Sequence, residues 1–384
     1  MIHAVTRLAR RAIALLAFGL LPVLAPAQPA PTDAWLDQTR ARWAAVAQKI
    51  WETPELALEE KKSSAALAAE LEKEGFRVTW GSGGEATAFV ATSGEGKPVV
   101  GLLAEYDALP GLSQAAGKPK KEALAENGPG HGCGHNLLGT AAVAAAIAAN
   151  RARVEQKLPG TIQLFGTPAE EQLYGKTFMI RDGAFRDTDV VLSWHPDDQN
   201  RISNRTRLAA TAVDVEFFGR SSHAAASPWL GRSSLDALVL FDHAMSLMRE
   251  HIKPTARIHR VISKGGAAAN IIPDYAKGQY YRERNGATAS SDIAEVSAVA
   301  PLAELNVAAR PLGTAAHHWA ETACAAHPIG HKAMMVAAKV LAASAVDLLK
   351  DPALVTAARD DLQKETKGKP YVSPLAPDGR PRPY

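Results

Sequence analysis

Cysteine is scarce in this chain, with two in 384 residues. A scaffold held together by disulfides is therefore excluded, and one bridge, Cys133 to Cys324, is the most the sequence could form. Also absent is any basic stripe with interleaved aromatics. The net charge is +3, the pI is near 8.7 and the lysines and arginines are scattered, so nucleic acid is not indicated as a partner. The apolar run near the N-terminus, "AIALLAFGLLPVLA", is shorter than the ~20 residues of a spanning helix and is interrupted by Pro22, so no stable membrane span is expected. No serine occupies a G-x-S-x-G elbow, which argues against a serine hydrolase.

The residues that are present describe an ordinary globular protein. With 47% hydrophobic and 22% charged residues, the chain can bury one large core and is long enough for two domains. Arg7, Arg10 and Arg11, the apolar run and the small-residue site Ala25-Pro26-Ala27 form the three parts of a secretory signal peptide, residues 1–27, with cleavage expected after Ala27 and a periplasmic or secreted product. Adjacent Arg10 and Arg11 leave the twin-arginine export route open.

In an oxidising compartment the two cysteines could pair, but Cys133 lies in "HGCGH", residues 131–135, inside a glycine-rich loop. A thiolate and an imidazole two residues apart read as metal ligands. Other candidate ligands follow runs that read as buried strands. "PVVGLLAEYDALPG" ends at Glu105, Tyr106 and Asp107, "GTIQLFGTPAEE" at Glu170 and Glu171, and "DVVLSWHPDD" at His195 and Pro196. In an open α/β sheet the site lies outside the carboxyl ends of the strands, so one end of the sheet collects all of this chemistry. Continuous apolar runs call for cover on both faces, and "SSAALAAELEKEGF", "NLLGTAAVAAAIAANRARVEQ" and "GHKAMMVAAKVLAASAVDLL" supply helices. Singly, each residue has a plainer reading. A histidine after a strand is ordinarily hydrogen-bonded in the core, paired glutamates begin a solvated helix, and Asp107 before Leu-Pro makes a turn. Together, at successive strand ends, they point to a metal site.

The segments "EYDALPG", "GPGHGCGHNLLGTAA", "GTPAEEQLYGKTFMIRDGAF", "VLSWHPDD", "GRSSHAAASPWLGRSSLDA" and "ANIIPDYA" closely resemble the two-metal amidohydrolase family of hippurate hydrolases, indole-acetyl-amino-acid hydrolases and aminoacylases. The resemblance implies a mixed sheet covered by helices on both faces, with an inserted ferredoxin-like α+β satellite. It makes Cys133, His135, Glu171 and His195 ligands of two divalent ions, zinc or manganese, and Glu170 the catalytic carboxylate. In "LGTAAHHWAETA" the further ligand is His317, with His318 as its rival, while His131 shapes the loop and Asp107 orients a ligating imidazole. His223 is implied to reach an active site, commonly that of a dimer partner, and Asn270 and Arg282 to hold a substrate carboxylate. Arg282 reads equally as a solvated charge on an edge strand.

Domain boundaries follow: a catalytic domain over 28–206 and 286–384, C-terminal tail included, and a satellite over 207–285. After "YYRER" the family continues with a second helix and a further strand, whereas here "NGATASSDIAEVSAVAP" resumes the catalytic domain almost at once. A truncated satellite should expose an apolar face or recruit a cover, either a second copy or a related subunit. The expected activity is hydrolysis of N-acyl amino acids, with aminobenzoyl-glutamate the favoured type. The alternative is a metal-binding but catalytically impaired relative that acts by binding a ligand or partner.

Overall fold

The computed structural model describes residues 31–383, apart from 204, 205, 285, 287 and 288, so the expected signal peptide lies outside the described residues. Three N-terminal helices, α1 (Pro31–Gln38), α2 (Arg40–Glu52) and α3 (Lys61–Lys73), precede strands β1 (Arg77–Trp80), β2 (Phe89–Glu95) and β3 (Val99–Glu105). Helix α4 (His135–Glu155) leads to β4 (Gly160–Thr167), and the short α5 (Gly175–Arg181) leads to β5 (Val190–Asp197) and β6 (Arg201–Ser203). After an intervening unit, α7 (Ile293–Ser297), β10 (Leu302–Ala308), α8 (Trp319–Ala325), α9 (Pro328–Lys350) and α10 (Pro352–Thr366) complete the chain. Among the described residues no helix is long and apolar enough to cross a membrane.

The sheet order β1-β2-β4-β3-β5-β10-β6 places four parallel strands, β4, β3, β5 and β10, at the centre. β3 is fully buried and its sequence "VVGLLAE" is apolar on both faces, as expected of a strand covered by helices on each side. The register aligns Glu105 with Thr167 and Asn306 with His195, so the strands finish abreast and deliver their last residues to one edge. β3 is followed by β4 on one side and β5 on the other, which makes the end of β3 a point where the strand order reverses.

Helix α4 is the keystone of the core. It is buried from His135 to Asn150, and its alanines let it sit between the sheet, α2 and α9. A helix apolar on all sides is stable only when enclosed in this way. The closest approach is at Gly139, where a Cβ would lie 2.6 Å from the carbonyl oxygen of Glu105 and 2.9 Å from Leu67 Cδ1.

The intervening unit is a three-stranded antiparallel sheet, β7 (Ala209–Phe218), β8 (Arg257–Lys264) and β9 (Tyr275–Arg284), in the order β7-β9-β8. Helix α6 (Ser234–Leu247) covers one face through Leu238, which packs with Ala276 and Tyr280. The opposite face carries Asp214, Glu216, Lys277, Gln279 and Tyr281 together with the exposed Phe218. Exposed apolar groups of this unit lie on both sides, at Val239, Leu240, Leu247 and Ile262 on the helix side and at Phe218 and Val261 on the other, with Trp229 and Leu230 in the loop before α6.

The contact at Gly139 gives a stability prediction. Gly139→Ala overpacks the junction of α4 with β3, at a cost of about 1–3 kcal/mol, and alanine's helix preference offsets about 1 kcal/mol of that. Denaturant unfolding should show a net loss of up to about 2 kcal/mol, and an unchanged midpoint would mean that α4 shifts without strain.

Candidate metal centre

The loop "HGCGH" is shaped by its glycines. Gly130 approaches Leu112 so closely that a Cβ would lie 2.1 Å from the Leu112 carbonyl oxygen, and Gly134 adopts φ +74° against Pro196 as it starts α4. This turn puts Cys133 and His135 on the carboxyl edge of the sheet. His131 is turned away from that edge, its Nε2 lying 3.2 Å from the Ile50 carbonyl oxygen, and burial lowers its pKa to about 3. Both cysteines are free thiols, so the Cys133–Cys324 bridge left open by the sequence is not formed.

Asp107 organises the centre. One carboxylate oxygen accepts from His135 Nδ1 at 2.9 Å, and the other accepts the Glu171 backbone N–H at 2.9 Å. With Nδ1 donating to Asp107, His135 Nε2 presents its lone pair to three carboxylates: Glu105 at 3.4 Å, Glu170 at 3.9 Å and Glu171 at 4.0 Å. Both His135 Nε2 and Glu171 Oε1 are buried without a hydrogen-bond partner. Cys133 Sγ lies 3.3 Å from His195 Nε2, and His317 Nε2 lies 3.3 Å from Glu171 Oε2.

Three sets of donor atoms each fall within 4.8 Å: Cys133–His135–His195, Cys133–Glu171–His317 and Glu105–His135–Glu170. Cys133 and His135 each belong to two of them. Soft sulfur with imidazole and carboxylate is a donor set suited to zinc and open to manganese. The orphaned atoms give the test of fit, because acceptors that converge in a buried space need a cation or shared protons. The pKa shifts describe the second option. Burial and Glu105 push Glu170 up to about 8, burial and Glu170 push Glu171 up despite the opposing pull of His135, and burial with Glu171 raises the Cys133 thiol. Burial works against a charge on His135, yet Cys133 and Asp107 raise its pKa well above the ordinary imidazole value. Burial and His135 lower His317 to about 4 and also depress His195, leaving two neutral imidazoles. The residues fit a divalent ion, which would displace those protons.

The neighbouring histidines part company at the C-terminal side. His317 has φ +53° and donates its backbone N–H to the Gly132 carbonyl at 3.0 Å, which swings its ring to Glu171. His318 turns outward and accepts from Ala320 N at the start of α8.

Two buried cations that no sequence pattern singles out flank the centre. Lys176 Nζ lies 2.7 Å from Glu105 and 2.5 Å from Asp292. Burial opposes the charge on Glu105, but Lys176 and His135 hold its pKa at about 2. Arg310 pairs with Glu321 and Asp197 and donates to the Pro196 carbonyl at 3.2 Å, bracing the end of β5 next to His195. Glu60 also escapes a reading of the sequence, although its carboxylate accepts from Ala169 N at 3.0 Å and Thr87 Oγ1 at 2.9 Å and so clamps the turn before Glu170. "LEEKK" looks like a solvated helix start, and no local pattern marks its second glutamate as buried.

The candidate substrate residues of the three-stranded unit lie apart from this cluster. His223 is exposed, its Nδ1 accepting from Ala225 N and Ala226 N, and its backbone bridges to Ile271 beside the exposed Asn270. Side chains alternate along β9, so Arg282 falls on the face of Tyr280 and α6. Lys277, Gln279 and Tyr281 line a cavity of about 980 Å³ bordered by Gln172 and Tyr174.

Comparison with known proteins agrees with this arrangement. The profile of peptidase family M20/M25/M40 matches residues 101–379. The chain is 44% identical over 249 residues to a p-aminobenzoyl-glutamate hydrolase subunit of Escherichia coli (strain K12), covering 65% of this chain and 52% of that one. It is 37% identical over 258 residues to the Xaa-Arg dipeptidase of Mus musculus, covering 64% and 56%. It thus spans about half the length of these curated relatives. Among solved structures, a dinuclear metal binding peptidase of the M20 family from Bacillus subtilis superimposes with a TM-score of 0.55 at 16% identity, over 82% of this chain and 99% of that one. The parallel strands, the motifs at their carboxyl ends and the match over most of the sequence identify the chain as a member of peptidase family M20/M25/M40.

Proposed function

We propose that the chain is a metal-dependent amidohydrolase that cleaves N-acyl amino acids, with aminobenzoyl-glutamate-like compounds as the favoured substrates. The observation that carries this reading is the set of buried, unpartnered donors, His135 Nε2 and Glu171 Oε1, facing Cys133, His195 and His317 with Glu170 beside them. Cys133, His135, Glu171, His195 and His317 would hold two divalent ions, zinc or manganese. Ions bound there supply Lewis acidity, acidifying water and polarising the scissile carbonyl. Glu170 takes the proton from the attacking water and passes it to the leaving amine. Asp107 fixes the His135 tautomer, and His223 and Asn270 reach substrate in an assembled form, with a second copy or a related partner chain. The Escherichia coli relative is named as one subunit of a hydrolase, which supports such a partner, and the substrate in its name supports the aminobenzoyl-glutamate type. Export to the periplasm is part of the proposal and rests on residues 1–27 alone.

A second reading is a chain that binds metal but turns over poorly. It is favoured by the single helix that covers the three-stranded sheet. Positioning supplied from that unit would be loose, and about 1 Å of displacement can cost on the order of a hundredfold in rate. Loading the purified chain with zinc or manganese and assaying amine release from a panel of N-acyl amino acids separates the readings. Release of amine supports the first, and full metal content without hydrolysis supports the second.

Three outcomes follow for variants and thiols. Glu170→Gln should retain metal and lose turnover by about 10²–10⁴-fold, whereas Glu171→Gln should lose metal, and the opposite pattern would reverse the two roles. His317→Ala should lower metal occupancy far more than His318→Ala, which removes only the cap of α8, and equal losses would count against His317 as a ligand. Thiol titration of denatured, unreduced, metal-stripped protein should find two thiols, and finding none would overturn a ligand role for Cys133.

A further inference from the structure

The cavity beside the proposed centre is closed partly by the C-terminal segment. Arg181 Nη1 donates to the Gly379 carbonyl at 2.7 Å, and Tyr174 Oη donates to the Arg382 carbonyl. Tyr174 directly follows the turn that carries Glu170 and Arg181 ends α5, so the segment is tied to both. Arg382 and Pro383 thereby join Gln172 and Tyr174, and Gln279 and Tyr281 of β9, in lining the cavity.

An N-acyl amino acid carries a free carboxylate, so its recognition calls for a cation. Arg282 lies on the far face of the sheet with Tyr280. Lys277 faces the cavity but is paired with Asp214 at 2.8 Å. Glu216, the other acid on the wall, accepts from the Tyr275 hydroxyl at 3.0 Å. Arg382 is exposed at the cavity, and among the described residues no acidic side chain lies within ion-pair distance of its guanidinium, which leaves a planar fork able to take a carboxylate through two bonds. Resting on the hydrolase reading above, we propose that Arg382, held in the cavity wall by the Tyr174 and Arg181 anchors, recognises the free carboxylate of the substrate.

The test uses binding rather than turnover. The metal-loaded Glu170→Gln chain is titrated with N-benzoylglycine and with its carboxamide, and the ratio of the two affinities is measured. In this background the carboxylate should bind more tightly. Arg382→Gln should reduce that preference by about tenfold or more, the scale of one lost charged hydrogen bond, and Arg382→Lys should restore part of it. Tyr174→Phe, which frees the segment, should reduce it in the same direction. A preference that survives Arg382→Gln, or one abolished instead by Arg282→Gln, overturns the assignment while leaving the hydrolase reading intact. A metal-loaded parent that binds neither compound overturns the substrate class, and the assignment with it.

Discussion

The structure depends on how it compensates a concentration of carboxylates buried at the ends of its parallel strands. Glu105, Asp107, Glu170 and Glu171 meet around one imidazole. Burying a charge without a counter-charge is far more costly than most single interactions in a fold can offset. The protein supplies its own cations at the edges of this group, Lys176 against Glu105 and Asp292, and Arg310 against Asp197 and Glu321. Among the described residues no lysine or arginine pairs at the middle, where His135 Nε2 and Glu171 Oε1 lie 4.0 Å apart, each without a hydrogen-bond partner. The space between them has the charge balance and the donor types of a divalent-ion site, and the peripheral cations keep the remaining carboxylates from competing for it.

Much of this could be read from the sequence because the family motifs sit at strand ends, where local pattern and tertiary position coincide. The alternation from apolar run to polar terminus located Asp107, Glu170, Glu171 and His195 on one edge. The buried cations were invisible for the opposite reason. A lysine in "LYGKTF" or an arginine in "AARPLG" looks like any surface charge, and only the burial of a distant carboxylate gives it a role. That the ring of His317, and not that of His318, turns towards Glu171 depends on a left-handed backbone at one residue, which a histidine adopts only when its surroundings impose it. Arg282 was ambiguous because "YAKGQYYRER" carries polar groups on both faces, so the phase of its alternation could be fixed only by the register against β7 and β8.

How the main sheet is held beside the three-stranded unit follows from where the chain leaves and re-enters. On the way out Arg207 pairs with Glu304 of β10, which ties the exit to the main sheet. On the way back Asp292 accepts from both the backbone N–H and the ammonium of Lys176 just before α7 begins. The two ends are thus clamped to elements of the main sheet by charged contacts that involve no residue of β7, β8, β9 or α6. Lys176 therefore has two roles, countering Glu105 at the edge of the carboxylate cluster and holding Asp292 where the chain re-enters.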